Sequence, residues 1–100
     1  MKFSCYKKDI TDALKFVLHA AAPKPQTPIL AGVYLHAENN ILELQANNYQ
    51  LGIIAKIPVN TEINGATVVS GKRLSDFLNK IGDEVVTFDD SDNILTIAVR

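Results

Sequence analysis

The stretch KDITDALKFVLHAAA, residues 8–22, decides how the rest of the chain is read. Ile10, Ala13, Leu14, Val17 and Ala21 recur at the i, i+3, i+4 spacing that stacks apolar side chains along one stripe of a helix. Lys8, Asp12, Lys15 and His19 fall on the opposite face. The spacing predicts one amphipathic helix ending near Ala22. Shifted by 64 positions, Leu74, Phe77, Leu78 and Ile81 repeat the stripe, Ser75-Asp76 echoes Thr11-Asp12, and Lys72 echoes Lys8. Two copies of one structural unit are therefore expected.

Working outward, each helix is preceded by a short strand-like run, residues 2–6 and 66–70, and followed by matching segments, Asn40-Ile41-Leu42-Glu43-Leu44 and Asn93-Ile94-Leu95-Thr96-Ile97. In the first strand Phe3 and Cys5 share a face. Pro23, Pro25 and Pro28, interleaved with Lys24, Gln26 and Thr27, predict a stiffened basic loop, because proline removes backbone donors and biases its predecessor to extended geometry. Residues 29–37 alternate, with Ile29, Ala31, Val33 and Leu35 on one face and Tyr34 and His36 on the other. After a turn at Glu38-Asn39-Asn40, residues 41–46 and 49–57 supply two more strands, the last with Leu51, Ile53, Ala55 and Ile57 inward and Lys56 outward. These three strands predict an antiparallel meander.

Residues 58–65 are polar and read as a loop connecting the copies. Ser70 is placed to cap the second helix, and Gly82 to end it. Residues 85–88 and 94–99 then form a hairpin across 89–93. The first unit spans about residues 1–58 and the second about 65–100. The second shows one strand fewer, so the last strand is expected to be missing, leaving an open sheet edge near 94–99.

A chain of 100 residues is one domain by length. It buries roughly 60 to 65 per cent of its unfolded surface, enough for a modest core. With 47% hydrophobic and 21% charged residues the composition is that of an ordinary globular protein, which argues against disorder. The net charge of -1 gives no global attraction to nucleic acid or membrane, so any such role rests on a local cluster. Lone Cys5 has no internal disulfide partner and reads as a buried, inert thiol, fitting a reducing cytoplasm. Neither a secretion signal nor a membrane-length apolar run is visible.

The chemical motifs are weak. Residues 65–73 run strand, Gly-Lys, helix, but the spacing is wrong by one residue for a phosphate loop, and Arg73 stands where a magnesium-binding Ser or Thr belongs. Asp89, Asp90, Asp92 and Asn93 lack the glycine turn and distal Glu of a calcium loop and read as a solvated turn. His19 and His36 stand on different elements without a partner at metal spacing. No nucleophile, base and orienting group line up as a triad. No catalytic residue, metal or cofactor is assigned. What remains is basic: Lys8 and Lys15 on one helix, Lys72, Arg73 and Lys80 on the other, and Lys24 on the proline loop. Interrupted by Asp12 and Asp76, these cations fit either a solvated face or a sparse phosphate-contacting surface that binds without base readout.

Met1-Lys2-Phe3, the helix that follows, Lys24-Pro25-Gln26-Thr27-Pro28-Ile29-Leu30, and Gly65-Ala66-Thr67-Val68-Val69 through Lys72-Arg73 together resemble the bacterial DNA polymerase III β subunit family, the β sliding clamps. The resemblance covers essentially all 100 residues and is most specific at Pro28-Ile29-Leu30. It departs at Ala46-Asn47-Asn48-Tyr49-Gln50, where the family often carries a Gly-Thr-Asp-x-Glu-like run. It implies an α+β DNA clamp fold: a duplicated β-α-β-β-β unit with two helices packed on antiparallel sheet. It implies the N-terminal domain of a cytoplasmic, non-enzymatic processivity factor, a homodimeric ring around duplex DNA. Lys8, Lys15, Lys24, Lys72, Arg73 and Lys80 would then face DNA. The implied partners are sequence-independent duplex DNA, the C-terminal domain of a second subunit, and a polymerase and clamp loader that bind through other domains. The alternative is a protein-interaction module of the same fold with no DNA role.

Overall fold

The computed structural model describes residues 1–21, 32–47, 52–82, 84–91 and 94–99. The proline loop with Lys24, and the starts expected for two strands at Ile29 and Tyr49, lie outside the described residues.

Strand β1 (Lys2–Tyr6) buries Phe3 and Cys5 on one face, as its alternation requires. It runs directly into helix α1 (Lys7–Ala21), whose first N–H bond is made from outside the helix: Lys7 N–H donates to the Glu84 carbonyl at 2.8 Å. Asp9 in the first turn and His19 in the last both suit the helix dipole. Ile10, Ala13, Leu14 and Val17 are buried, and Lys8, Asp12, Lys15 and His19 are exposed, so the stripe is where the periodicity puts it.

Strands β2 (Gly32–Glu38), β3 (Ile41–Asn47) and β4 (Gly52–Pro58) form the expected meander. The β2–β3 turn is two residues long, with Asn39 at φ 53° and Asn40 at φ 64°. Left-handed geometry at both centres matches the strand twist, and asparagine tolerates it. Val33, Leu35 and Ala37 on β2 and Leu42, Leu44 and Ala46 on β3 face the core.

The stretch expected to be a polar loop contains a strand instead. β5 (Asn60–Ile63) pairs antiparallel with β1, placing Ser4 opposite Asn60 and Phe3 opposite Thr61. Its anchor is remote in sequence. Val59 N–H donates to the Asn40 carbonyl and Thr61 N–H to Asn40 Oδ1, both at 3.0 Å, so the β2–β3 turn holds the chain as it passes from one sheet to the other.

β6 (Gly65–Ser70) leads into α2 (Gly71–Leu78). Ser70 caps that helix as expected, its Oγ accepting from Arg73 N–H at 3.3 Å. The helix stops at Leu78, four residues short of Gly82. Asn79 N–H still donates to the Ser75 carbonyl, but Lys80 N–H donates to Phe77, three residues back, and that tighter turn ends it. Leu74 and Leu78 are buried, Ile81 is half-buried and Phe77 is 37% exposed. β7 (Val85–Ser91) is also longer than expected: Asp89, Asp90 and Ser91 pair with Thr96, Leu95 and Ile94 of β8 (Ile94–Val99). Asp90 N–H further donates to the Met1 carbonyl at 2.9 Å, so Asp89 and Asp90 are strand rather than turn. Asp92 and Asn93 lie outside the described residues.

The strands assemble into two four-stranded antiparallel sheets, β5-β1-β7-β8 and β4-β3-β2-β6. The strand before each helix pairs with strands of the other half of the chain, β1 with β7 and β6 with β2. One hydrophobic core takes residues from both sheets and both helices, with the Phe3 and Phe88 rings stacked at 4.9 Å and 7°. Among the described residues no helix is long and apolar enough to cross a membrane.

Candidate nucleic-acid interface

The two helices pack against each other, and α1 also packs against β3 and β4. The contact between the helices depends on Gly71. A Cβ there would lie 2.7 Å from Leu18 Cδ2 of α1 and 2.8 Å from Val33 Cγ2 of β2. The Gly-Lys pair that resembles a phosphate loop is thus a packing glycine followed by an exposed lysine.

With their apolar stripes turned into the common core, both helices present their polar faces to solvent. Lys8 and Lys15 on α1, Lys72 and Arg73 on α2, and Lys80 in the turn after it are all exposed. Lys24 lies outside the described residues; of the six expected contacts, four belong to one pair of adjacent helices and Lys80 to the turn that follows α2.

Charge is sorted by element. The helices and the turn after α2 carry Lys7, Lys8, Lys15, Lys72, Arg73 and Lys80 against Asp9, Asp12 and Asp76. The described strands and their connections carry only Lys2 and Lys56 against Glu38, Glu43, Glu62, Glu84, Asp89 and Asp90. A net charge of -1 conceals this separation. Because screening acts over about 8 Å in physiological salt, an approaching polyanion responds to the local helix surface rather than to the total.

Lys72 and Arg73 are the most telling of these cations. They occupy the first turn of α2, which contains no acidic residue. The N-terminal end of a helix carries a partial positive charge, so cations there oppose helix stability. Their position is electrostatically unfavourable for the fold and favourable for an anion.

On the strands Glu38, Glu43 and Glu62 have nearby cationic or imidazole partners. Lys2 Nζ lies 3.3 Å from Glu62 Oε2, an exposed pair of little energetic weight. His36 stands between Glu38 at 3.7 Å and Glu43 at 3.9 Å, and stacks on Tyr34. Its two ring nitrogens face different carboxylates, a divergent arrangement. Among the described residues no group of three or more His, Cys, Asp or Glu side chains is placed to hold a metal ion. The Cys5 thiol is pushed up to about 12 by burial and then by the charge of Asp9, which keeps it protonated at neutral pH.

Two positioning residues escaped the sequence reading. Asn40 ties the sheet crossover to a hairpin turn; its signal, consecutive asparagines in a two-residue turn, predicts the turn but not its distant donors, the Val59 and Thr61 N–H groups. Gly71 sets the approach of α2 to α1, and its only signal is a glycine immediately before a helix.

The family described as DNA polymerase III beta subunit, N-terminal domain, matches residues 1–99. The chain is 31% identical over 102 aligned residues to the beta sliding clamp of Synechococcus elongatus, covering 99% of this chain and 27% of that protein. It is 28% identical over 87 residues to the beta sliding clamp of Micrococcus luteus, covering 87% of this chain and 28% of the relative. Among solved structures, the Caulobacter crescentus pol III beta protein superposes with a TM-score of 0.87 at 23% identity, covering 100% of this chain and 27% of that one. The Helicobacter pylori beta clamp bound to a DNA ligase peptide superposes at 0.85 and 23% identity, covering 98% of this chain and 28% of that one. Those superpositions establish the fold. The chain spans little more than a quarter of each of these relatives.

Proposed function

Since the chain belongs to the DNA polymerase III beta subunit N-terminal domain family, we propose that it acts as one domain of a non-catalytic, ring-shaped processivity factor around duplex DNA. The exposed helix cations Lys8, Lys15, Lys72, Arg73 and Lys80, with Lys24, are its phosphate contacts. The observation that carries this reading is the concentration of positive charge on the helices, above all Lys72 and Arg73 against the dipole of α2. Few, dispersed cations make weak contacts without base readout, which suits a surface that must slide. Retention on DNA then comes from ring topology rather than from contact energy.

The same reading takes the chain as a doubled β-α-β-β-β unit, about residues 1–58 and 65–100. Support comes from the reciprocal pairing of β1 with β7 and β6 with β2, which relates the two halves in the same way. β8 ends its sheet among the described residues, and we assign its outer edge to a further strand. In the ring this domain meets the C-terminal domain of a second subunit, while the polymerase and the clamp loader engage the longer polypeptide in the cytoplasm through regions outside these 100 residues.

The test loads the longer polypeptide onto circular duplex DNA and then linearises it. Retention on the circle at moderate salt, followed by loss on linearisation, is expected. Equal, salt-insensitive behaviour on both would instead favour a protein-interaction module whose helix cations are merely solvated.

A further inference from the structure

We draw no further inference here: the strongest candidate, the pair of adjoining apolar clefts beside α1 that share Asp9 and Pro58 and run from Tyr6 to Phe16, is an unpartnered face, and nothing in the structure shows what covers it.

Discussion

Helices α1 and α2 begin from the same sequence pattern and carry different burdens. α1 is 15 residues long, buries four side chains of its stripe, and places Asp9 in its first turn and His19 in its last, where each suits the dipole. α2 is eight residues long, takes its cap from Ser70, and opens with Lys72 and Arg73 in the turn that least favours them. Energetically, α1 organises the core while α2 displays charge. Where a short helix carries cations against its own dipole, fold stability does not account for them, and under the proposed function the DNA phosphates do.

The comparison breaks most visibly in the core. Leu14 on α1 is 1% exposed, against 5% for Leu74 on α2. Leu14→Ala is expected to cost about 2–5 kcal/mol, because the collapsed site cannot refill the lost volume. Denaturant unfolding measures this directly. A loss below that of Leu74→Ala would mean that α1 is not the organising helix.

Next in size is the contact between the helices. Gly71→Ala puts a methyl group against Leu18 and the β-branched Val33, and overpacking of this kind costs about 1–3 kcal/mol. The usual helix-propensity advantage of alanine over glycine, about 1 kcal/mol, offsets part of that cost. A net gain in melting temperature would show that α2 can shift away from α1 without penalty.

Smaller again is the cap. Ser70→Ala removes the acceptor of Arg73 N–H and should cost about 1 kcal/mol, while Ser70→Asp should preserve the cap and favour the dipole. Both are read by thermal unfolding, and equal stability of the two variants would contradict the role assigned to Ser70.

Much of this was legible in the residues. Helix periodicity located the buried face of α1, strand alternation located Val33 and Leu35, and Ser70 announced the start of α2. Other features depended on distant partners. β5 is only Asn60-Thr61-Glu62-Ile63, and becomes a strand because β1 and Asn40 supply its hydrogen bonds from elsewhere in the chain. The early stop of α2 follows from a switch to three-residue spacing at Lys80, which Gly82 as an apparent terminator concealed. Asp89 and Asp90 look like turn residues, yet β1 on one side and β8 on the other keep them in β7. For the candidate interface, Lys8, Lys15, Lys72, Arg73 and Lys80 were visible as polar-face residues. Their separation from the strand carboxylates emerges only when charges are sorted by the elements that carry them.

The most direct test reverses Lys72 and Arg73 together to Glu in the longer polypeptide and follows DNA binding across a salt series, with the fold monitored by thermal unfolding. Acids in the first turn of α2 suit the dipole, so stability should hold within about 0.5 kcal/mol or rise. Each lost phosphate contact reduces the slope of log affinity against log salt by about 0.9, so the pair should reduce it by about 2. The matched reversal of Lys8 and Lys15, interleaved with Asp9 and Asp12 on α1, should reduce it less. An unchanged salt slope in the Lys72→Glu/Arg73→Glu protein, with the fold intact, would contradict the assignment of α2 as the principal DNA-facing helix.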